Sequence, residues 1–302
     1  MTGPSIICVG NVVRDEVFHV EKLPSAGLKT DVLHYEERFG GPAATAAVAI
    51  AHLGGRAVYW GRVGKDAVGE SVIGALTRHN VDSSGVAVIP GGRTTRAVVT
   101  VDRRGERSIM IDRLGLPRAT TLLPPKLPDD AGVVLVDTRW PAGAAAALDY
   151  AKDKGVPSVL DADGGARDEI AGLVDKADYI IFSSQGITEF AGQGTPTDQL
   201  RRLAHLAPRT LAVTCGAEGS VWSIGREITV VPAFKLAVRD TTGCGDVFHG
   251  AYALALGEGK SPLESARFAS ATAALKASRG DGWEGMPDRR SVIEILSKEN
   301  VE

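Results

Sequence analysis

Asp246 stands one residue past a Gly-x-Gly turn in Asp240-Thr-Thr-Gly-Cys-Gly-Asp-Val-Phe-His-Gly-Ala251, and that combination suits one kind of chemistry. Gly243 and Gly245 allow backbone angles and close approaches that a side chain forbids. Successive N–H groups, with that of Cys244 between them, can therefore converge on an anion. The apolar positions that follow, Val247, Phe248, Ala251, Leu254 and Ala255, have the spacing of a buried helix that ends at Gly257 and Gly259. The unpaired N–H groups and positive dipole end of such a helix favour an anion by about 0.3–1 kcal/mol at the surface and about 2 kcal/mol when partly buried. A carboxylate in this place repels the ligand unless it has work of its own. Taking the proton of an attacking hydroxyl is such work, and phosphoryl transfer needs a base beside the donors that hold the phosphate. The plainer alternative is that Asp246 only complements the dipole of the first turn.

The elements that must position this turn are those of an α/β protein. Ser5 to Gly10 is a short apolar run ending in glycine, the pattern of a buried strand. Asp15 lies beyond it, where polar groups outside the carboxyl end of a strand can hold sugar hydroxyls; a solvated loop acid is the other reading. Gly40-Gly41 leads into a small-residue helix, Pro42 to Leu53, whose glycine entry lets a ligand reach the backbone. Ala57 to Trp60 reads as a strand and Gly61 to Gly69 as a turn entering a second helix. After Asp130 the strands Gly132–Asp137, Ser158–Asp161, Tyr179–Phe182 and Thr210–Thr214 alternate with helical or loop segments. That alternation predicts a mostly parallel sheet covered on both faces, flanked by a hairpin over Val221–Val231. Two other stretches, about 15–39 and 94–114, have short strands broken by Pro24, Gly27 and Gly105, and together predict a small β appendage.

Composition bounds the partners. The 302 residues carry 44% hydrophobic and 24% charged side chains with net charge −3, which argues against a nucleic-acid surface. Met1 to Ser5 has neither a basic region nor a cleavable apolar run. The most apolar segment, Ala43 to Leu53, is too short to span a bilayer. Cys8, Cys215 and Cys244 have no metal or disulfide spacing, which suits a reducing cytoplasm.

The Gly40-Gly41 helix entry, Gly64-Lys-Asp-Ala-Val-Gly69 and Asp240-Thr-Thr-Gly-Cys-Gly-Asp246 together resemble the ribokinase or PfkB-type carbohydrate kinases over nearly the whole chain. No P-loop is present. The resemblance implies a ribokinase-like three-layer α/β sandwich, one kinase domain over residues 1–302, with a β-sheet lid from 15–39 and 94–114 that closes over the sugar and forms a homodimer contact. It implies that Asp246 is the base and that the backbone of Gly243, Cys244 and Gly245 holds the transferred phosphate. Thr214, Gly216 and Gly219 match the family's nucleotide loop, and Asp15, Gly40 and Gly41 its sugar-binding positions. Asp240 and Thr242 stand where many members place a monovalent cation such as potassium, and magnesium arrives with ATP.

Within the family, Gly40 to Ala49, Asp137-Thr-Arg-Trp140, Pro232-Ala-Phe-Lys235 and Asp246-Val-Phe-His-Gly250 resemble the 6-deoxy-6-sulfofructose kinases. That implies phosphorylation of a primary hydroxyl of sulfofructose, the alternative being fructose, a ketohexose phosphate or another sugar. A sulfonate needs permanent cations, for which Lys29 and Arg139 are the candidates. Three departures accompany the resemblance. Ser183-Ser-Gln-Gly186 replaces the family's metal-phosphate acid. Asp112 stands at a lid position where those kinases have asparagine, and a carboxylate there opposes a sulfonate unless Arg113 takes over. Cys244 replaces the common alanine, and a thiol at a helix N-terminus is expected to have a lowered pKa and to be alkylated unless ATP protects it. A non-catalytic sugar-binding protein of this fold is expected to have lost Asp246 or the glycines, and the chain keeps them.

Overall fold

The computed structural model describes residues 3–165, 167–206, 209–225 and 227–299. Met1 and Thr2, in the start read above as leaderless, and position 226, inside the expected Val221–Val231 hairpin, lie outside the described residues.

The first half of the chain comprises β1 (Ser5–Gly10), β2 (Val13–Val20), β3 (Val32–Gly40), α1 (Pro42–His52), β4 (Arg56–Gly64), α2 (Ala67–Arg78), β5 (Ala87–Ile89), β6 (Arg96–Val101) and β7 (Arg107–Asp112). The α/β repeats follow as β8 (Ala131–Asp137), α3 (Pro141–Lys154), β9 (Ser158–Ala162), α4 (Arg167–Val174), β10 (Tyr179–Ser183), α5 (Ser184–Ala191), α6 (Pro196–Arg202) and β11 (Thr210–Thr214). A terminal hairpin, β12 (Ser220–Ile224) and β13 (Glu227–Val231), precedes three helices, α7 (Cys244–Gly257), α8 (Pro262–Arg279) and α9 (Arg289–Glu299).

Among the described residues the large sheet has nine strands in the order β13-β12-β11-β10-β9-β8-β1-β4-β5. It is parallel except for the β12–β13 hairpin at its edge. Both faces are covered, so β1 reads as a continuous apolar run and all of it is buried. Its side chains alternate between two cores. Ile6 and Cys8 pack with α1, α2, α7 and α8, and Ile7 and Val9 with the layer of α3 to α6. β1 lies between β8 and β4, where the strand order reverses, and the crevice outside the carboxyl ends of β1 and β8 is the place such sheets offer a ligand.

The second sheet, in the order β3-β2-β6-β7, is the lid. On one face of the large sheet, α1 and α7 pack close: a Cβ on Gly250 of α7 would stand 2.5 Å from the Ala46 carbonyl oxygen of α1. Only glycine permits that approach, and it sets the two glycine-entered helix N-termini side by side.

One expected boundary moves. The strand at Ala57–Trp60 runs from Arg56 to Gly64 because Gly61 and Val63 continue the ladder, opposite Gly10 and Val88, and stay buried. The turn into α2 shrinks to Lys65 and Asp66, whose carboxylate caps the helix by accepting from Gly69 N at 2.8 Å.

Candidate active site

The Gly-x-Gly turn forms as its spacing suggests. Gly243 caps α7 in the left-handed region (φ 73°), and a Cβ on Gly245 would project into open space, so the backbone there lies bare toward the cleft. Beside it is a cavity of about 470 Å³, lined mostly by apolar surface from Thr214, Gly216, Gly219, Phe234, Val238 and Phe248. Gly219 must be glycine: its φ is 93°, and a Cβ would meet Ala233 N at 2.7 Å. An apolar slot that opens onto a bare helix N-terminus fits a purine followed by its phosphates, which is the ATP expected here.

Asp246, half-buried, follows the turn. Burial, and then the neighbouring Asp161 carboxylate, push its pKa well above the ordinary carboxylate range; nearby His249 pulls the other way. Asp161, 3% exposed, is raised in the same manner, by burial and by Asp163. His249 is buried under both and held largely neutral by burial; its Nδ1–H donates to the Gly245 carbonyl at 2.7 Å and lies 3.4 Å from Asp161 Oδ2. A carboxylate made more basic by its surroundings is better suited to accept a hydroxyl proton.

Asp137, 1% exposed at the end of β8, organises the acceptor side. Its Oδ2 accepts from Asn11 N (2.7 Å) and Ala43 N (3.1 Å), and its Oδ1 from Arg139 N (2.8 Å). One carboxylate thus joins the end of β1, the start of α1 and the loop carrying Arg139. Gly41 has φ 96°, and a Cβ on it would lie 2.6 Å from the Asn11 carbonyl oxygen. Gly40 packs over Asp15, whose carboxyl burial raises to a pKa of about 6, opposed by Arg38. Asp15, Gly40, Gly41 and Arg139 therefore come together around the crevice.

Other expected site residues do not. Lys29 is exposed in the loop between β2 and β3 and is absent from the walls of a second cavity, of about 230 Å³, that Asn11, Arg62, Arg113, Arg118 and Arg139 line beside Asp137. Asp112 is taken up by Arg93, whose Nη2 and Nε stand 3.1 and 3.2 Å from Oδ2, and it also accepts from Leu114 N; its charge is spent within the lid. Cys244 goes opposite to expectation. Burial, with Asp240 and Asp246 nearby, pushes its thiol up to about 11 despite Lys276 and the helix end. Desolvation of the thiolate outweighs the dipole.

Asp240 and Thr242 do not fit a monovalent cation either. Thr242 donates through N and Oγ1 to Asp240 Oδ1 (2.9 and 2.7 Å). Arg107 of the lid reaches Thr242 Oγ1 at 2.7 Å and Asp240 Oδ1 at 3.4 Å, and Arg38 faces Asp240 Oδ2 at 3.5 Å. Lys276, buried close by, donates to the Gly280 carbonyl at 2.8 Å. Resident cations hold the charge that an added one would balance. For magnesium, no group of three or more His, Cys, Asp or Glu arranged to hold a metal ion exists among the described residues, and Ser183 only caps α5. The triphosphate would supply most of its ligands.

Sequence reading missed Asp161, Asp163, Arg62 and Arg118. Asp161 was in view as the end of a strand, but nothing in spacing shows that β9 delivers it beneath a helix some eighty residues later.

Such a site can move a phosphoryl group from a nucleotide to an alcohol held under a lid, the work of a lidded α/β kinase. Comparison with known proteins narrows the class. Residues 4–289 match the pfkB family carbohydrate kinase profile, and the chain belongs to that family of ATP-dependent carbohydrate kinases. It is similar to a ribokinase of Lactococcus lactis (30% identity, covering 95% of this chain and 94% of the relative) and to fructokinase-1 of Zea mays (29%, 86% and 88%). Among solved structures, Arabidopsis thaliana ribokinase complexed with ribose and ATP superposes with a TM-score of 0.85 at 28% identity, covering 98% of this chain and 99% of that one.

Proposed function

We propose that the enzyme transfers the γ-phosphoryl group of ATP to a primary hydroxyl of a fructose-type sugar, with Asp246 as general base. The observation that carries this is the position of Asp246, its pKa raised by burial, one residue past the bare backbone of Gly245. The transferred group is held by the N–H groups of Gly243 to Gly245, Thr214, Gly216 and Gly219 flank the nucleotide, and Asp15 with Gly40 and Gly41 orients the acceptor. Closing the lid expels the water that otherwise competes for the phosphoryl group.

The acceptor that best suits the chain is 6-deoxy-6-sulfofructose, with Arg139 near its sulfonate; Lys29 and Asp112 drop out of that clamp. A neutral acceptor such as fructose is the second reading, favoured by the similarity to fructokinase and ribokinase. Exposed Leu33, Tyr35, Ile109 and Met110 on the lid suit a homodimer contact through it. No helix among the described residues is long and apolar enough to cross a membrane, and a cytoplasmic site of action agrees with the use of ATP.

The test is coupled ADP release with Asp246→Asn. It is expected to bind ATP as the parent does and to lose about 10²–10⁴-fold in turnover. Turnover within tenfold of the parent overturns the base assignment.

A further inference from the structure

The hairpin of β6 and β7 carries a cation from the lid to the edge of the Gly-x-Gly turn. Asp102, buried just past β6, organises the hairpin tip: its Oδ1 accepts from Arg104 N at 2.8 Å and from Glu106 N at 3.0 Å, which fixes where β7 begins. The first residue of β7 is Arg107. Its Nη1 donates to Thr242 Oγ1 at 2.7 Å and its Nη2 to Asp240 Oδ1 at 3.4 Å. Thr242 directly precedes Gly243, the cap of α7, so this guanidinium stands where the bare backbone of the turn begins.

Asp240 has more partners than it needs. Arg38 of β3, on the opposite edge of the lid sheet, faces its Oδ2 at 3.5 Å, and Thr242 donates to its Oδ1 through both N and Oγ1. The Lys276 ammonium, 1% exposed, also acts on it. With Arg107 withdrawn, Asp240 therefore keeps its bonds to Thr242 and the charges of Arg38 and Lys276. Arg107 is the reverse case. Two of its guanidinium N–H groups are engaged, it has no further partner among the described residues, and its side chain is 45% exposed. It can leave this carboxylate at little cost, because an exposed ion pair holds its partners weakly.

The cations at this end of the cleft outnumber the carboxylate they share, next to the turn read above as the phosphate site. A triphosphate answers that surplus, and a guanidinium fork matches two of its oxygens at once. The strand that bears Arg107 is part of the lid, so the charge reaches the turn only when the lid is down. Lys29, the lid cation considered for the acceptor, has no such placement.

We infer that Arg107 is a further catalytic residue: with ATP bound it exchanges Asp240 and Thr242 for oxygens of the terminal phosphoryl group. The inference rests on the reading of Gly243 to Gly245 as the phosphate site. In the transfer, the acceptor oxygen bonds to the γ-phosphorus, the bond from that phosphorus to the β–γ bridging oxygen breaks with its electron pair going to ADP, and the acceptor proton goes to Asp246. Negative charge spreads over the phosphoryl and bridging oxygens as this happens, and Arg107 donates to them. Lid closure thereby does more than expel water: it delivers the cation that the transition state requires, and ATP under an open lid lacks it.

The experiment measures coupled ADP release with fructose and with 6-deoxy-6-sulfofructose, and ATP and ADP affinities by calorimetry, in the parent, Arg107→Ala, Arg107→Lys and Arg38→Ala. Arg107→Ala is expected to lower kcat by about 10²–10³-fold with acceptor KM nearly unchanged, the scale of one donor lost from an anion hole. Arg107→Lys, which keeps the charge without the fork, is expected to recover about tenfold of that loss, and added guanidinium ion to recover part of it in Arg107→Ala. The parent's preference for ATP over ADP is expected to shrink in Arg107→Ala and to persist in Arg38→Ala. A kcat for Arg107→Ala within about threefold of the parent overturns the inference, and so does an equal kcat loss in Arg38→Ala, which makes the two arginines a lid latch and nothing more. If neither sugar is phosphorylated by the parent while the ATP preference still depends on Arg107, the phosphate contact stands and the acceptor assignment fails.

Discussion

At the proposed nucleotide end of the cleft, a cavity of about 470 Å³ is walled by glycines and apolar side chains, and it opens onto the backbone at the start of one helix. At the acceptor end, a cavity of about 230 Å³ is walled by long charged side chains sent from four separated segments. The first is made of conformation and the second of side-chain chemistry. A backbone site recognises what every reaction of the family shares, a phosphate chain, and substitution cannot easily retune it. A side-chain site can be rewritten one residue at a time, and it is where members of one fold diverge in substrate.

The comparison breaks most visibly at the glycines. Gly245→Val fills the open space over the turn, and a loss of about 10²–10³-fold in kcat/KM for ATP is expected, the scale seen when one donor is removed from an anion hole. If kinetics show only a small loss, the backbone is not the phosphate site. The base comes next. As the proposed base, Asp246 acts only when charged, and its pKa is raised, so turnover at saturating substrates is expected to fall as pH drops through a value above the usual Asp range near about 4. A kcat profile flat down to the ordinary carboxylate range removes the burial argument.

These two ends also differ in how far they could be read from sequence. The anion turn, the apolar helix after it and the Gly40-Gly41 entry were legible because each is a contiguous string whose residue types act locally. The strand alternation after Asp130 was legible for the same reason. The arginine pocket was not: Arg62 sits on a strand that reads as ending at Trp60, and Arg118 lies in a proline-marked connection. Only the fold brings them to Arg139. Cys244 misled because its helix-end position is visible in sequence while its burial is not. Lys29 stands out by its charge and Asp112 by its lid position in the resemblance, and neither solvent exposure nor the partnership of Asp112 with Arg93 can be read along the chain.

Smaller effects sharpen the acceptor side. Arg93→Ala releases the Asp112 carboxylate next to Arg113, and KM for an anionic acceptor is expected to rise about threefold to tenfold with KM for ATP unchanged. An equal rise for fructose assigns Arg93 to lid folding instead. The smallest effect is expected from monovalent salts. With Arg38, Arg107 and Lys276 set around Asp240, replacing potassium by tetramethylammonium at constant ionic strength leaves turnover unchanged. Marked activation by potassium shows that these residues yield to an ion when substrates are bound.

Gly250 seated on the Ala46 backbone has a consequence for how such an enzyme changes over generations. With no room for a side chain between them, the helix proposed to start at the sugar and the helix proposed to start at the phosphate form one inherited block, and a shift in either is transmitted to the other. Variation is confined to what surrounds that block, the lid strands and the loops bearing the arginines, so a lineage can exchange one acceptor for another while the distance from hydroxyl to phosphoryl group passes on unaltered.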